Sequence, residues 1–375
     1  MKKQILDVHK KHPSMSLRGI ARLVGCHHTT VMKHLSKPQT QEVPEKDDVC
    51  VFREKREAKS VILKNKELVQ RVVELEEQID LLKHLDSHCT SKGFVIKPSK
   101  AGEASATAFA IASDWHSEER VKSATVNGMN EFTLDIAEGR IEKFFQSTLR
   151  LLKNKQKNIT IDTLVLALMG DFISGSIHDD TMESAQLSPS QALTWVFGKV
   201  SAGIRFLLAN SEVNIVIPCH SGNHGRFTQK QRVANEAGNS YEYLSYHFLA
   251  REFATEKRVE FQVSEGYHSF MDVQGFIIRF HHGHYVRYQG GIGGIYIPAH
   301  KAIGEWNKAR RADLDVFGHF HSQIFSPIFV CNGSLIGYSP FAISIKAPYQ
   351  KPMQAFFLVH HQRQQVIDQC PIWLD

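Results

Sequence analysis

Apolar positions recur with three different periods along the chain, and each period predicts a different kind of element. Within residues 16–35, Ile20, Val24, Val31 and Leu35 are spaced at helical intervals, which predicts two short packed helices. Ala21 is small where such helices would cross, and Gly25 stands where a tight turn needs a positive φ. Thr29 or Thr30 can cap the second helix. Further on, Val61, Asn65, Leu68, Val72, Leu75, Ile79 and Leu82 alternate at spacings of four and three, a heptad seam among Lys, Glu, Gln and Arg. A lone Asn at an a-type position is a device for fixing a paired register. The expectation is a coiled-coil homodimer through residues 58–85. The alternative is a single amphipathic helix lying on the larger domain.

From near Ser105 to the C-terminus, short apolar runs alternate with amphipathic helical segments. Five of the runs stop at polar clusters. Thr107–Ala112 leads into Asp114-Trp115-His116, and Leu164–Met169 into Gly170-Asp171. Val213–Ile217 leads into Gly222-Asn223-His224-Gly225-Arg226, Phe276–Phe280 into His281-His282-Gly283-His284, and Leu314–Phe317 into Gly318-His319-Phe320-His321. Buried strands that deliver polar residues at their carboxyl ends are how α/β sheets build sites. Aspartate can bridge two cations, and imidazole and amide oxygen complete the shells. A D-x-H or H-x-H pair in extended backbone would aim both side chains the same way. One such motif is weak, but five in sequence point to a metal centre.

Polar stretches at Lys37–Asp48 and 86–104 read as linkers, giving units at 1–40, 49–86 and 105–375. Charge separates these units. The formal net charge is +6, yet residues 1–40 carry eight Lys/Arg against one acid, Asp7, and the remainder holds 37 basic against 38 acidic residues. A polyanion is the natural partner of the first unit alone. Six scattered cysteines without a CxxC pair argue against a disulfide framework. The Lys-rich start has no apolar stretch of the signal-peptide kind, and no segment approaches a membrane span. A cytoplasmic protein with no membrane partner is expected.

The segment Ser16–Leu35 resembles the helix-turn-helix of transcription regulators and recombinases. The resemblance implies DNA as a partner, with the second helix in the major groove. His27, His28, Thr30 and Lys33 are then the exposed candidates, and Arg18 and Arg22 lie near phosphates. A helical hairpin used for protein contacts is the alternative.

Taken together, Asp114-x-His116, Gly170-Asp171, Gly222-Asn223-His224, His282-Gly283 and Gly318-His319-x-His321 resemble the signature series of calcineurin-like metallophosphoesterases, over roughly residues 105–340. That similarity implies an α/β fold, a four-layer α/β/β/α sandwich, preceded here by a small all-α helix-turn-helix and a helical spacer. It also implies a site for two divalent metal ions, manganese foremost, with iron, zinc or nickel also suited to mixed O/N ligands. By the resemblance, Asp114, His116 and His321 hold one metal, Asn223, His282 and His319 the other, and Asp171 bridges them. His281 and His284 stand as alternatives to His282. Two metals, typically ~3.5–4 Å apart, can activate a water against a phosphoester substrate. His224 would donate a hydrogen bond or proton, and Arg226 would bind a phosphate oxygen. Many members carry an acid where Ser174 stands and another where Gly225 stands.

The activity so implied is a metal-dependent phosphodiesterase or nuclease acting on DNA. The alternatives are a phosphatase for small molecules or phosphoproteins tethered to DNA, and a DNA-binding regulator with a degenerate catalytic domain. The combination of units also looks like proteins found among bacteriophage and prophage genes. His178-Asp179-Asp180 either lines the cleft or forms a solvated turn, and Gly290–Gly294 reads as a loop near the site. Asp313 and Asp315 are expected to flank the last strand away from metal.

Overall fold

The computed structural model describes residues 1–35, 48–88, 104–287 and 294–375, the side chains of 48–52 and 78–88 excepted. Most of both expected linkers and the glycine run at 290–293 lie outside the described residues. The chain forms two compact units, Met1–His88 and Cys89–Asp375.

In the first unit α1 (Lys2–Lys11), α2 (Leu17–Val24) and α3 (His28–Leu35) pack around Ile5, Ile20, Ala21 and Val31. Ser16 caps α2 by accepting the Gly19 N–H at 3.2 Å, and Gly25 ends it with φ 74°. Both features follow from residue type: a short hydroxyl satisfies a free amide, and glycine takes the left-handed conformation without a Cβ penalty. α3 begins at His28, so Thr29 and Thr30, expected as caps, lie inside its first turn instead. Later in the same unit, α4 (Asp48–His88) is one continuous helix, in which Val61, Leu68, Val72 and Leu75 are all exposed.

The second unit runs β1 (Ala106–Ala112), α5 (Leu134–Lys155), β2 (Thr163–Leu168), α6 (Asp179–Ser184), α7 (Pro189–Asn210), β3 (Asn214–Cys219), α8 (Tyr241–Glu252) and β4 (Val259–Val263). β5 (Ser269–Val273), β6 (Phe276–Phe280), α9 (Tyr296–Ala309), β7 (Leu314–Phe317), β8 (Ile324–Phe325) and β9 (Phe329–Cys331) follow. The chain ends with α10 (Pro340–Ser344), β10 (Met353–His360) and β11 (Gln365–Trp373). All five apolar runs are strands.

Those strands divide between two sheets, of order β11-β10-β1-β2-β3-β4 and β5-β6-β7-β9-β8. β1 to β4 are parallel, as are β6, β7 and β9. Alternation along β1 explains the layering. Phe109 and Ile111 face the second sheet, packing with Ile278, Phe280, Leu314 and Val316. Ala108, Ala110 and Ala112 share a separate core with Phe144 of α5 and Val200 and Ile204 of α7. Helix α9 packs on the far side of the second sheet through Ala299 and Ile303 against Phe317 and Phe329. The result is an α/β/β/α sandwich, and burial on both faces is why these strands read as unbroken apolar runs.

One correction concerns α7. It is long and apolar enough to cross a membrane, contrary to the expectation that no segment approaches one. Its Ala192, Val196, Val200, Ile204 and Leu207 are buried inside the second unit, which accounts for the composition.

Candidate metal centre

Parallel strands of both sheets end on the same side, and the loops leaving β1, β2, β3, β6 and β7 meet there. Backbone bonds stitch them together. The N–H groups of Trp115 and His116 donate to the Asp171 carbonyl (2.8 and 3.1 Å), and the N–H of Gly318 donates to the His282 carbonyl (2.9 Å). Within this stitching Asp114, His116, Asp171, His319 and His321 all adopt left-handed backbone, with φ of 54°, 44°, 54°, 74° and 51°. The expectation of extended D-x-H and H-x-H pairs is therefore corrected. These residues lie just past their strands, and left-handed turns swing the side chains inward. Such conformations are costly for residues with a Cβ and persist where surrounding contacts over-determine them.

Two triads result, each with two buried members and a half-buried histidine, His321 or His319. Asp114, His116 and His321 offer ligand atoms within 4.8 Å of one another, as do Asp171, His282 and His319, and His116 and Asp171 form a linking group with His224. Nε2 of His116 lies 3.1 Å from Nε2 of His321, and Nε2 of His282 lies 2.9 Å from Asp171 Oδ2. Glycine makes the approach feasible. A Cβ on Gly222 would stand 2.0 Å from Asp171 Oδ1, and one on Gly318 would stand 2.3 Å from Asp114 Oδ2.

A supporting shell fixes each ligand. His282 Nδ1 donates to the Met169 carbonyl at 2.6 Å; a carbonyl only accepts, so this nitrogen carries the proton and Nε2 faces the cluster. Ser174 Oγ bonds His116 Nδ1 at 2.8 Å, while the Ser174 carbonyl accepts from His224 Nδ1 at 3.2 Å. Asp171 Oδ1 accepts the His224 N–H at 2.8 Å. Asp114 accepts from Ser113 Oγ and from the His319 N–H (2.5 and 2.9 Å). Asn332 Nδ2 in turn donates to Ser113 Oγ at 2.8 Å.

The residue types and their environments fit divalent cations. Burial keeps His116 and His319 well below the usual imidazole pKa and brings His321 down to about 4, so each offers a neutral lone pair. Burial would raise the Asp171 carboxyl, but His282 above all outweighs it and holds the group well below its ordinary range. Asn223 Oδ1 and His321 Nδ1 are buried atoms without a hydrogen-bond partner, which in a polar cluster calls for a ligand. His282 Nε2 instead faces the Asp171 carboxylate, which outweighs burial and raises the imidazole pKa to about 10. These Asp and His groups could hold metal ions.

Of the histidines 281, 282 and 284 after β6, His282 alone joins a triad. His281 lies 3.3 Å from Asp315, itself paired with Arg279 at 2.7 Å, and His284 lies 3.0 Å from Glu236. Asp315 and Asp313 stay outside both triads, the latter accepting the Ile277 N–H at 2.9 Å. Arg226 donates to the carbonyls of Asn223, Thr228 and Gln229, and so ties its own loop together.

Several residues in the supporting shell escaped sequence reasoning. Glu242 on α8 accepts the N–H groups of Phe172 and Gly222, each at 2.7 Å, and burial raises its pKa to about 7. Glu118 accepts the N–H groups of Ser174 and Gly175 (2.7 and 3.0 Å), with its pKa likewise raised by burial to about 7. Gln354 of β10 clamps the loop after β1 through Ser113 and Trp115. None belongs to a spaced motif. The one available signal was polar residues such as Gln354 inside an apolar run.

The centre opens into a cleft of about 720 Å³ lined by His116, Asp171, His224, His319 and His321. Its outer wall carries Glu119, Arg120, His178, Asp179, Asp180 and Phe341. His178-Asp179-Asp180 therefore lines the cleft, with the His178 ring 5.4 Å from that of His224.

No family model and no curated protein matches this chain. Solved structures do match at low identity. A hypothetical protein of Pyrococcus horikoshii OT3 is 10% identical over 72% of this chain and 89% of its own, with a TM-score of 0.34. A conserved uncharacterized protein of Streptococcus pneumoniae TIGR4, described as a predicted phosphoesterase, is 11% identical over 71% and 98%, at 0.26. A novel phosphatase of Mycoplasma pneumoniae is 13% identical over 72% and 92%, at 0.27. Likenesses this distant assign no chemistry, which rests on the site itself.

Proposed function

We propose that the second unit is a metal-dependent phosphoester hydrolase and that its substrate is DNA. The observation that carries the first part is the convergence of the triads Asp114/His116/His321 and Asp171/His282/His319, with orphaned ligand atoms, at the floor of an open cleft. Asp114, His116 and His321 would hold one cation, and Asn223, His282 and His319 another, with Asp171 shared. Bound there, divalent cations supply positive charge against the phosphoryl oxygens and lower the pKa of water.

The chain's own groups do the rest. His224 is oriented by the Ser174 carbonyl through Nδ1–H, so any proton handed to a leaving oxygen comes from Nε2 of the imidazolium. Burial opposes that charge and Asp171 favours it. Arg120 and the half-exposed Phe341 stand on the wall, where a phosphate and a base flanking the scissile bond would meet them. The DNA assignment draws on the basic surface of the first unit, where Arg18, Arg22, His27 and Lys33 are exposed and His28 and Thr30 half-buried.

A second reading, a phosphatase for a small substrate carried on a DNA-tethering unit, is favoured by the acids Glu119, Asp179 and Asp180 on the cleft wall. They oppose a polyanionic strand. Manganese-loaded protein should cleave linear duplex or single-stranded DNA, and a His224→Ala variant should not. Turnover of p-nitrophenyl phosphate with intact DNA would select the second reading, and no turnover of any phosphoester would remove both.

A further inference from the structure

We infer that α4 is one strand of a parallel two-stranded coiled coil, so that the protein acts as a dimer whose three-helix units emerge from the same end. Along this helix Val61, Leu68, Val72 and Leu75 are 57%, 62%, 52% and 43% exposed, although they repeat on one stripe. Ile62 and Val69, beside that stripe, are 66% and 63% exposed. Amphipathic helices bury such a stripe, and among the described residues it has no cover.

The occupant that fits is a second copy, because the seam is self-complementary. In heptad terms the a positions are Asn65, Val72 and Ile79, and the d positions are Val61, Leu68, Leu75 and Leu82. β-Branched residues at a with leucine at d favour two parallel strands, and one asparagine at a fixes their register by pairing with its counterpart. Flanking charges agree. In a parallel pair the g residue faces the e residue five places on in the partner, which sets Arg71 against Glu76, Lys64 against Val69 and Gln78 against Lys83. The first is attractive and none is repulsive. Arg71 meanwhile reaches Glu74 in its own helix at 3.0 Å, with both side chains exposed, so it is free to be shared. The consequence for nucleic acid is geometric: two basic units held at one end of a two-fold axis would read two half-sites.

The test uses the full chain. Light scattering at tens of micromolar should give twice the 42.5 kDa chain mass, and Leu68→Glu with Leu75→Glu should halve it. Hydrolysis of a small phosphodiester should be unchanged in that variant. In a Cys50→Ser, Cys89→Ser background, Val61→Cys should oxidise to a disulfide-linked dimer. A wild-type mass of one chain, or a double-Glu variant that stays paired, overturns the dimer. Cross-linking of Val61→Cys only to an Ile79→Cys chain overturns the parallel arrangement.

Discussion

The two units of this protein use charge in opposite ways. In Met1–His88 the basic residues Arg18, Arg22 and Lys33 are exposed over a core of four buried side chains, so charge and packing barely interact. In Cys89–Asp375 the carboxylates of Asp114 and Asp171 and the imidazole of His282 are buried and bonded to backbone groups, and the buried His116 imidazole is held by Ser174 Oγ. Buried charge without compensation is expensive, so such a cluster survives where partners or bound ions offset it. Exposed charge is cheap to keep and easy to move. A substitution in the first unit should therefore alter affinity or local stability, and one in the second should alter metal binding and rate together.

The largest expected effect sharpens this contrast at its centre. Asp171→Asn should lower phosphodiester turnover by about 10³-fold or more, since the shared carboxylate is replaced by a neutral amide. DNA retention at low salt should be unchanged; steady-state kinetics and a mobility-shift titration check both. Next, Ile20→Ala should cost about 2–5 kcal/mol, which a three-helix core cannot absorb. Local hydrogen exchange should show α1 to α3 unfolded, while turnover of a small phosphodiester stays at the wild-type rate. Loss of turnover there would contradict the confinement of the chemistry to the second unit.

Ser174→Ala should have a smaller effect, about 10–100-fold in metal affinity or rate. It removes the hydroxyl on His116 Nδ1 but keeps the carbonyl that orients His224. A metal titration that is unmoved would refute the role given to that hydroxyl. A last effect is on stability and its dependence on pH. Burial brings His220 down to about 3 and His268 to about 2, so both are neutral when folded and take up protons near pH 6.5 when unfolded. Depressed folded pKa values mean that stability is full above pH 6.5 and falls as pH drops towards 3, by up to about 1.4 kcal/mol per pH unit for each group. Urea unfolding at pH 7 and 5 should show the fall, with a shallower slope in His220→Gln.

How far the sequence could be read follows the same division. The strands β1, β2, β3, β6 and β7 were legible because burial on both faces leaves continuous apolar runs, and the ligand candidates stand directly after them. What joins the ligands was less legible. Positive φ at Asp114, His116 and His319 comes from bonds between loops far apart in sequence, so no local pattern announces it. Glu118 and Glu242 support the cluster from places that no spacing marks. Ser174 looked like a missing acid, yet its hydroxyl and carbonyl each orient a histidine. Arg226 looked like a phosphate ligand and is engaged by its own loop.

Anomalous diffraction from manganese-soaked crystals bears most directly on the central claim. Two peaks per chain are expected, one among Asp114, His116 and His321 and one among Asn223, His282 and His319, with the Asp171 carboxylate within bonding distance of both. A single peak away from Asp171, or none at saturating manganese, would contradict the account.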